Sequence, residues 1–173
     1  LDLNDEFGIA ATVDDVSLEF SLCSPVVTLN SADVTDEIRS ERVSLASSKI
    51  AKYTSVRKKL IDFQRKFSRG HGLIADGRDM GSVIFPSADL KIFLTASVKV
   101  RANRRYKELI ARGENVSLRD LERRIALRDK GDRERKVSPL IAGEDAIVID
   151  ASEKSVNEVK KEIIHYFDLI PSV

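Results

Sequence analysis

The 173-residue sequence predicts an α/β fold with a parallel sheet, a small antiparallel insertion and an arginine-rich helical region. Three observations carry that expectation. Apolar runs at 72–75, 90–94 and 146–150 alternate with stretches of helical period, the pattern of strands joined by helical crossovers. Residues 16–22 alternate apolar and polar at period two, and a second short apolar run follows at 26–29. Between residues 101 and 135 there are ten arginines and two lysines.

The elements follow in order. The first dozen residues begin in mid-pattern and read as the tail of a preceding element. Strands are expected at 16–22 and 26–29, separated by Ser24-Pro25, with a turn at Asn30-Ser31 and a short third strand at 32–35. A helix is expected over 36–52. A second should start near Val56 with Ser55 as its cap, carry an apolar stripe of Val56, Leu60, Phe63 and Phe67, and end before Gly70. Strands at 72–75 and 90–94 precede a helix over 98–111 that Gly113 stops. Ser117 should cap the next helix, 118–134, and a strand at 146–150 leads into a closing helix over 155–169.

Composition narrows the function classes. Hydrophobic content of 42% and charged content of 33% describe a soluble globular chain, with no apolar run long enough to span a bilayer and no signal peptide at Leu1. A lone Cys23 excludes an intrachain disulfide and fits a reducing compartment; a small core residue is its expected role. Two histidines and one cysteine do not make a usual zinc site without carboxylates, and His71 and His165 read as structural or solvated. A net charge of +1 argues against backbone-driven nucleic-acid binding by the arginine-rich helix. Tyr53, Phe63 and Phe67 fall at helical spacing and are expected in a core.

The most informative stretch is Gly72-Leu-Ile-Ala-Asp-Gly-Arg-Asp-Met-Gly81. An apolar run ending in an acid suits a buried parallel strand whose carboxyl end opens on a ligand crevice. Asp76 at such a tip would hold a metal ion or its water. Gly77 permits a tight turn, and Arg78 and Asp79 offer a fork of donors and an acceptor. An ordinary Asp-Gly turn is the competing reading. The second signal is on the 118–135 helix. Leu118, Leu121, Ile125, Arg128, Asp132 and Arg135 recur at spacings of three and four and share a face. Its first half is apolar and its second half is Arg, Asp, Arg, a local positive excess suited to an anion or to a structural ion network. Gly131 inside this helix costs about 1 kcal/mol relative to alanine, a cost easier to accept where a segment must bend. Arg101 and Arg105 lie one turn apart, with Arg104 beside them. Two arginine-bearing helices on a short loop have the form of a phosphate-closing lid, or of a solvated surface.

Together these residues resemble the bacterial cytidylate kinases of the nucleoside monophosphate kinase group. The resemblance is carried by Gly72-Leu-Ile-Ala-Asp-Gly-Arg-Asp-Met-Gly-Ser-Val-Ile-Phe-Pro86, Leu90-Lys-Ile-Phe-Leu-Thr-Ala-Ser97, Arg101-Ala-Asn-Arg-Arg105, Arg128-Asp-Lys-Gly-Asp-Arg-Glu-Arg-Lys-Val-Ser-Pro-Leu140 and Ala146-Ile-Val-Ile-Asp150. It implies a three-layer P-loop fold, a parallel sheet flanked by helices. The core would comprise 1–12, 70–97 and 140–173, the monophosphate-binding insertion 13–69 and the lid 98–139. The implied activity is phosphoryl transfer from ATP, with Mg2+ as cofactor, to CMP or dCMP in pyrimidine metabolism. Asp76 would reach the metal through its water, and Arg78, Arg128 and Arg135 would hold the acceptor phosphate or the transferring group. Asp132 would reach the sugar hydroxyl, while Ser48, Arg57 and Asp79 would read the base and Arg101 and Arg105 would serve the ATP side of the lid. A carboxylate at Asp79 suits cytosine's amino group and should reject uracil. The expected partners are these small molecules, with no nucleic acid and no membrane, in a cytoplasmic monomer. The sequence contains no G-x-x-x-x-G-K-S/T. The family's N-terminal strand, P-loop and first helix are therefore expected to be missing, and a chain starting at Leu1 to be inactive alone. A nucleotide-binding module without catalysis is the alternative.

Overall fold

The computed structural model describes residues 2–21, 24–68, 72–135 and 137–171. Cys23 and His71 lie outside the described residues, as does the end of the strand expected at 16–22. The chain forms two compact units, Leu1–Leu73 and Ile74–Val173.

The first unit opens on helix α1, Glu6–Thr12, where the sequence suggested only a tail. Asp5 caps it, its Oδ1 accepting from Gly8 N at 2.9 Å. Helix α1 buries Ile9 and Ala10 against Val56, with Ile50, Tyr53 and Leu60 around them. Strands β1 (Leu18–Phe20) and β2 (Val27–Leu29) pair antiparallel, Glu19 opposite Thr28, and β3 (Ala32–Asp33) pairs with β2. Asn30 (φ 48°) and Ser31 (φ 67°) make the two-residue turn between β2 and β3. Such a primed turn matches the twist of the strands it joins.

The helix expected over 36–52 is divided. Ser40 adopts extended backbone, breaks the path after a short 3-10 turn at Glu37–Arg39, and caps helix α2, Glu41–Ile50. Helix α3 runs Thr54–Arg65 with Tyr53 at the cap position. Ser55 is not the cap. Its N and Oγ both donate to Glu6 Oε1, at 2.9 and 2.7 Å, so a carboxylate from α1 captures a group that local reasoning assigned to the helix end. Phe63 and Phe67 are half-buried and pack edge-on, as do Phe20 and Phe67, both pairs with centroids 5.5 Å apart.

Residues 72–76, which include the boundary between units, form no strand. Leu73 and Ile74 are exposed, Ile74 fully. A strand exists through the backbone groups it pairs with, and among the described residues this segment has no ladder partner. The chain then tightens into a π-helical turn, Met80–Ile84, closed by Ile84 N to Asp79 O (3.2 Å) and Phe85 N to Met80 O (2.7 Å). Strands β4 (Ile92–Thr95) and β5 (Ile147–Asp150) pair in parallel, Ile92 opposite Ile147. The crossover consists of α4 (Val98–Ala111) and α5 (Leu118–Glu134), which bury Ala102, Leu109 and Leu121 between them. Ser97 and Ser117 cap these helices, and Gly113 takes φ +79° at the end of α4. Helix α6 (Val156–Asp168) starts from a capping box of Ser155 and Glu158, and His165 on it is exposed.

Candidate functional site

The crossover helices and the loop before the π-turn bring one charged cluster together. Helix α5 turns its Leu121 and Ile125 stripe onto α4, and the same face continues into Asp129 and Asp132, 4% and 6% exposed. Two buried carboxylates are costly unless paired. Arg78 supplies one partner, its Nη1 lying 2.5 Å from Asp132 Oδ2 and 3.3 Å from Asp129 Oδ1. Arg101, from α4, places Nη2 2.5 Å from Asp129 Oδ2 while its Nε donates to Ala96 O at 2.9 Å. Arg128 Nε is 3.9 Å from Asp132 Oδ2, and Arg135 Nη1 is 3.4 Å from Asp132 Oδ1. Arg135 Nε also donates to Ser138 O, in a turn where Ser138 takes φ 52° and Leu140 N returns to Asp132 O at 2.8 Å. Among the described residues, four guanidinium groups thus surround two carboxylates, an excess of two positive charges.

Burial works to raise the Asp129 pKa, but hydrogen bonds and charge from Arg101 and Arg78 outweigh it and hold the group below its ordinary range. Asp129 is therefore ionised at neutral pH. Arg78 and Arg101 keep about a third of their side chains open, at 32% and 30%, and Arg128 keeps 38%. Fixed arginines with accessible donors and a net positive charge are suited to an anion carrying several oxygens, such as a phosphate.

The structure thus unites Arg78, Arg101, Arg128, Asp132 and Arg135. Arg105 goes elsewhere, pairing with Glu108 at 2.8 Å. Asp79 is buried, and its carbonyl accepts from Val83 N and Ile84 N. Asp76 is exposed in a segment without strand structure, so the expected strand tip is replaced by a loop. Gly77 allows close approach of the Met80 side chain, which a Cβ there would meet at 2.7 Å. Ser48 on α2 and Arg57 on α3 are half-buried in the first unit, with Arg57 Nη1 3.5 Å from Ala51 O. A groove of about 620 Å³ in that unit, lined by Phe7, Ala10, Lys58 and Lys59 among others, includes neither.

Two residues were missed by sequence reasoning. Asp129 lies four residues after Ile125 and so continues the apolar stripe more closely than Arg128 does; an acid at that phase was the available signal. Arg104 Nη2 donates to Ala151 O (2.7 Å) and Lys154 O (3.3 Å), fastening α4 to the loop after β5, and nothing local marked that role. Among the described residues no group of three or more His, Cys, Asp or Glu side chains is placed to hold a metal ion, and no helix is long and apolar enough to cross a membrane.

Comparison with known proteins adds the family. The cytidylate kinase family model matches residues 1–169. A cytidylate kinase of Methylococcus capsulatus is 47% identical over 156 residues, covering 90% of this chain and 70% of that protein. Those of Pediococcus pentosaceus and Dichelobacter nodosus are each 42% identical, over 95% and 91% of this chain and 74% of each relative. With a match that runs nearly end to end and relatives this similar over nine-tenths of the sequence, the chain belongs to the cytidylate kinase family.

Proposed function

We propose that the protein transfers the γ-phosphoryl group of ATP to CMP or dCMP, giving CDP or dCDP. The observation that carries this reading is the arginine cluster, whose excess positive charge is held on two buried carboxylates in a member of this family. Phosphoryl transfer asks a protein chiefly for in-line positioning and for neutralising charge on the equatorial oxygens. In this reading Arg78, Arg128 and Arg135 hold the acceptor phosphate and the group in flight. Asp132 meets the sugar hydroxyl, and Asp79 takes the cytosine amino group. Arg101 and Arg105 belong to the lid that excludes water, and the parallel β4–β5 pair is part of a larger three-layer sheet.

Bound with the nucleotide, Mg2+ would supply charge neutralisation at its phosphates. An exposed lone carboxylate such as Asp76 fits an ion whose other ligands are phosphate and water, and would hold one of those waters. The test is a coupled assay for ADP with ATP·Mg and CMP, UMP or AMP as acceptor. Saturable, CMP-selective turnover supports the proposal. CMP binding without ADP release would identify a binding module, and no CMP binding would reject the reading.

A further inference from the structure

We infer that Asp129 is a positioning residue, the buried anchor that fixes Arg78 in the proposed phosphate site and Arg101 of the proposed lid beside it. The inference rests on the transfer reading above but assigns a residue which that reading leaves unused. Asp129 is the less exposed of the two cluster carboxylates, at 4%. Each of its oxygens meets a different arginine, Oδ1 Arg78 and Oδ2 Arg101, from positions 51 and 28 residues away in sequence. Asp132 cannot substitute, because its oxygens already face Arg78, Arg128 and Arg135. Arg78 meets both carboxylates through Nη1, which leaves the rest of its fork for a ligand. Arg101 is held at two points, Nε on Ala96 O and Nη2 on Asp129, so its plane is set before any ligand arrives. Asp129 itself is buried, and its two oxygens are taken up by these arginines. Its effect must pass through them, as preorganisation of their donors.

That role separates from mere stabilisation. Loosened arginines still attract a phosphate but no longer sit where charge develops, so kcat should fall more than affinity. The experiment compares wild type, Asp129→Asn, Arg101→Met and the double variant. It measures ATP·Mg/CMP kinetics per folded molecule, with CMP affinity by calorimetry and folded fraction by circular dichroism. Asp129→Asn should lower kcat about 10- to 100-fold, the cost of a small misplacement, with the CMP Kd changed less than about threefold. The double variant should lose less than the product of the two singles, because both break one link. Unchanged kcat per folded molecule, or fully multiplicative losses, would overturn the inference and leave Asp129 as a stability residue. If Asp129→Asn does not fold, Asp129→Glu moves the charge by one methylene and should show the same kcat-selective loss; an unchanged kcat there overturns it equally. A wild type that neither binds nor phosphorylates CMP overturns the proposed function and this inference together, a pattern distinct from an active wild type with an indifferent variant.

Discussion

Replacing Arg128 and Arg135 by alanine, one at a time, should have the same effect on transfer and different effects on stability. Arg128 stands on the charged half of the α5 face, while Arg135, expected on that face, is the extended residue that ends the helix; both reach Asp132, and loss of one preorganised donor at a phosphoryl site costs about 10²- to 10³-fold in kcat. Their folding roles differ. The Arg128 side chain is 38% exposed and 3.9 Å from Asp132, so its removal resembles loss of a surface pair, about 0–1 kcal/mol. Arg135 is 9% exposed, donates to Ser138 O and stands 3.4 Å from Asp132. Its removal takes a charged donor from a buried carbonyl and a buried carboxylate, about 1.5–3 kcal/mol. For a chain of this size about 2 kcal/mol corresponds to roughly 4–8 °C in Tm. The assay pairs ATP·Mg/CMP kinetics with thermal unfolding of each variant. Arg128→Ala should be nearly as stable as wild type and catalytically crippled; Arg135→Ala should lose both. Wild-type turnover in Arg128→Ala would refute the anion role of the cluster, and equal Tm losses would refute the assignment of Arg135 as the structural member.

Other outcomes follow from single features. Asp79→Asn should narrow the preference for CMP over UMP, read as a ratio of kcat/KM values, and an unchanged ratio removes Asp79 from base recognition. The folded-state pKa of Asp129 is lowered, so its contribution is full above its unfolded value of about 3.9 and is lost as pH falls through the depressed folded value. In urea unfolding, the stability gap between wild type and Asp129→Asn should therefore shrink below about pH 4, and a gap independent of pH contradicts a lowered Asp129 pKa. A Cβ at Gly131 would meet open space, so Gly131→Ala should stabilise α5 by about 0.5–1 kcal/mol. If kcat falls as Tm rises in that variant, helix bending is part of the catalytic cycle; a lower Tm means the site is more crowded than the fold indicates.

Helices α4, α5 and α6 were legible from sequence because their determinants are local. Ser97, Ser117 and Ser155 each cap from one position before the helix, Gly113 stops α4, and the apolar stripe of α5 names its own buried face. The turn at Asn30-Ser31 was legible for the same reason, since two adjacent residues that tolerate positive φ define it. The charged half of the α5 face was legible as chemistry out of place, which is how Arg128, Asp132 and Arg135 were found. Other features depended on partners far along the chain. Ser55 reads as a cap until Glu6, 49 residues away, takes both its donors. Residues 72–75 have a strand's composition, but composition cannot supply a neighbouring backbone, and the segment forms no strand and stays exposed. Asp129 reads as one more acid on a helix until Arg78 and Arg101 close on it. The sequence by itself determined helices α4, α5 and α6 and the types of residue available to bind a phosphate. Tertiary structure alone decided which carboxylates are buried and which arginines they hold, because pairing and desolvation belong to groups that meet in space and not along the chain.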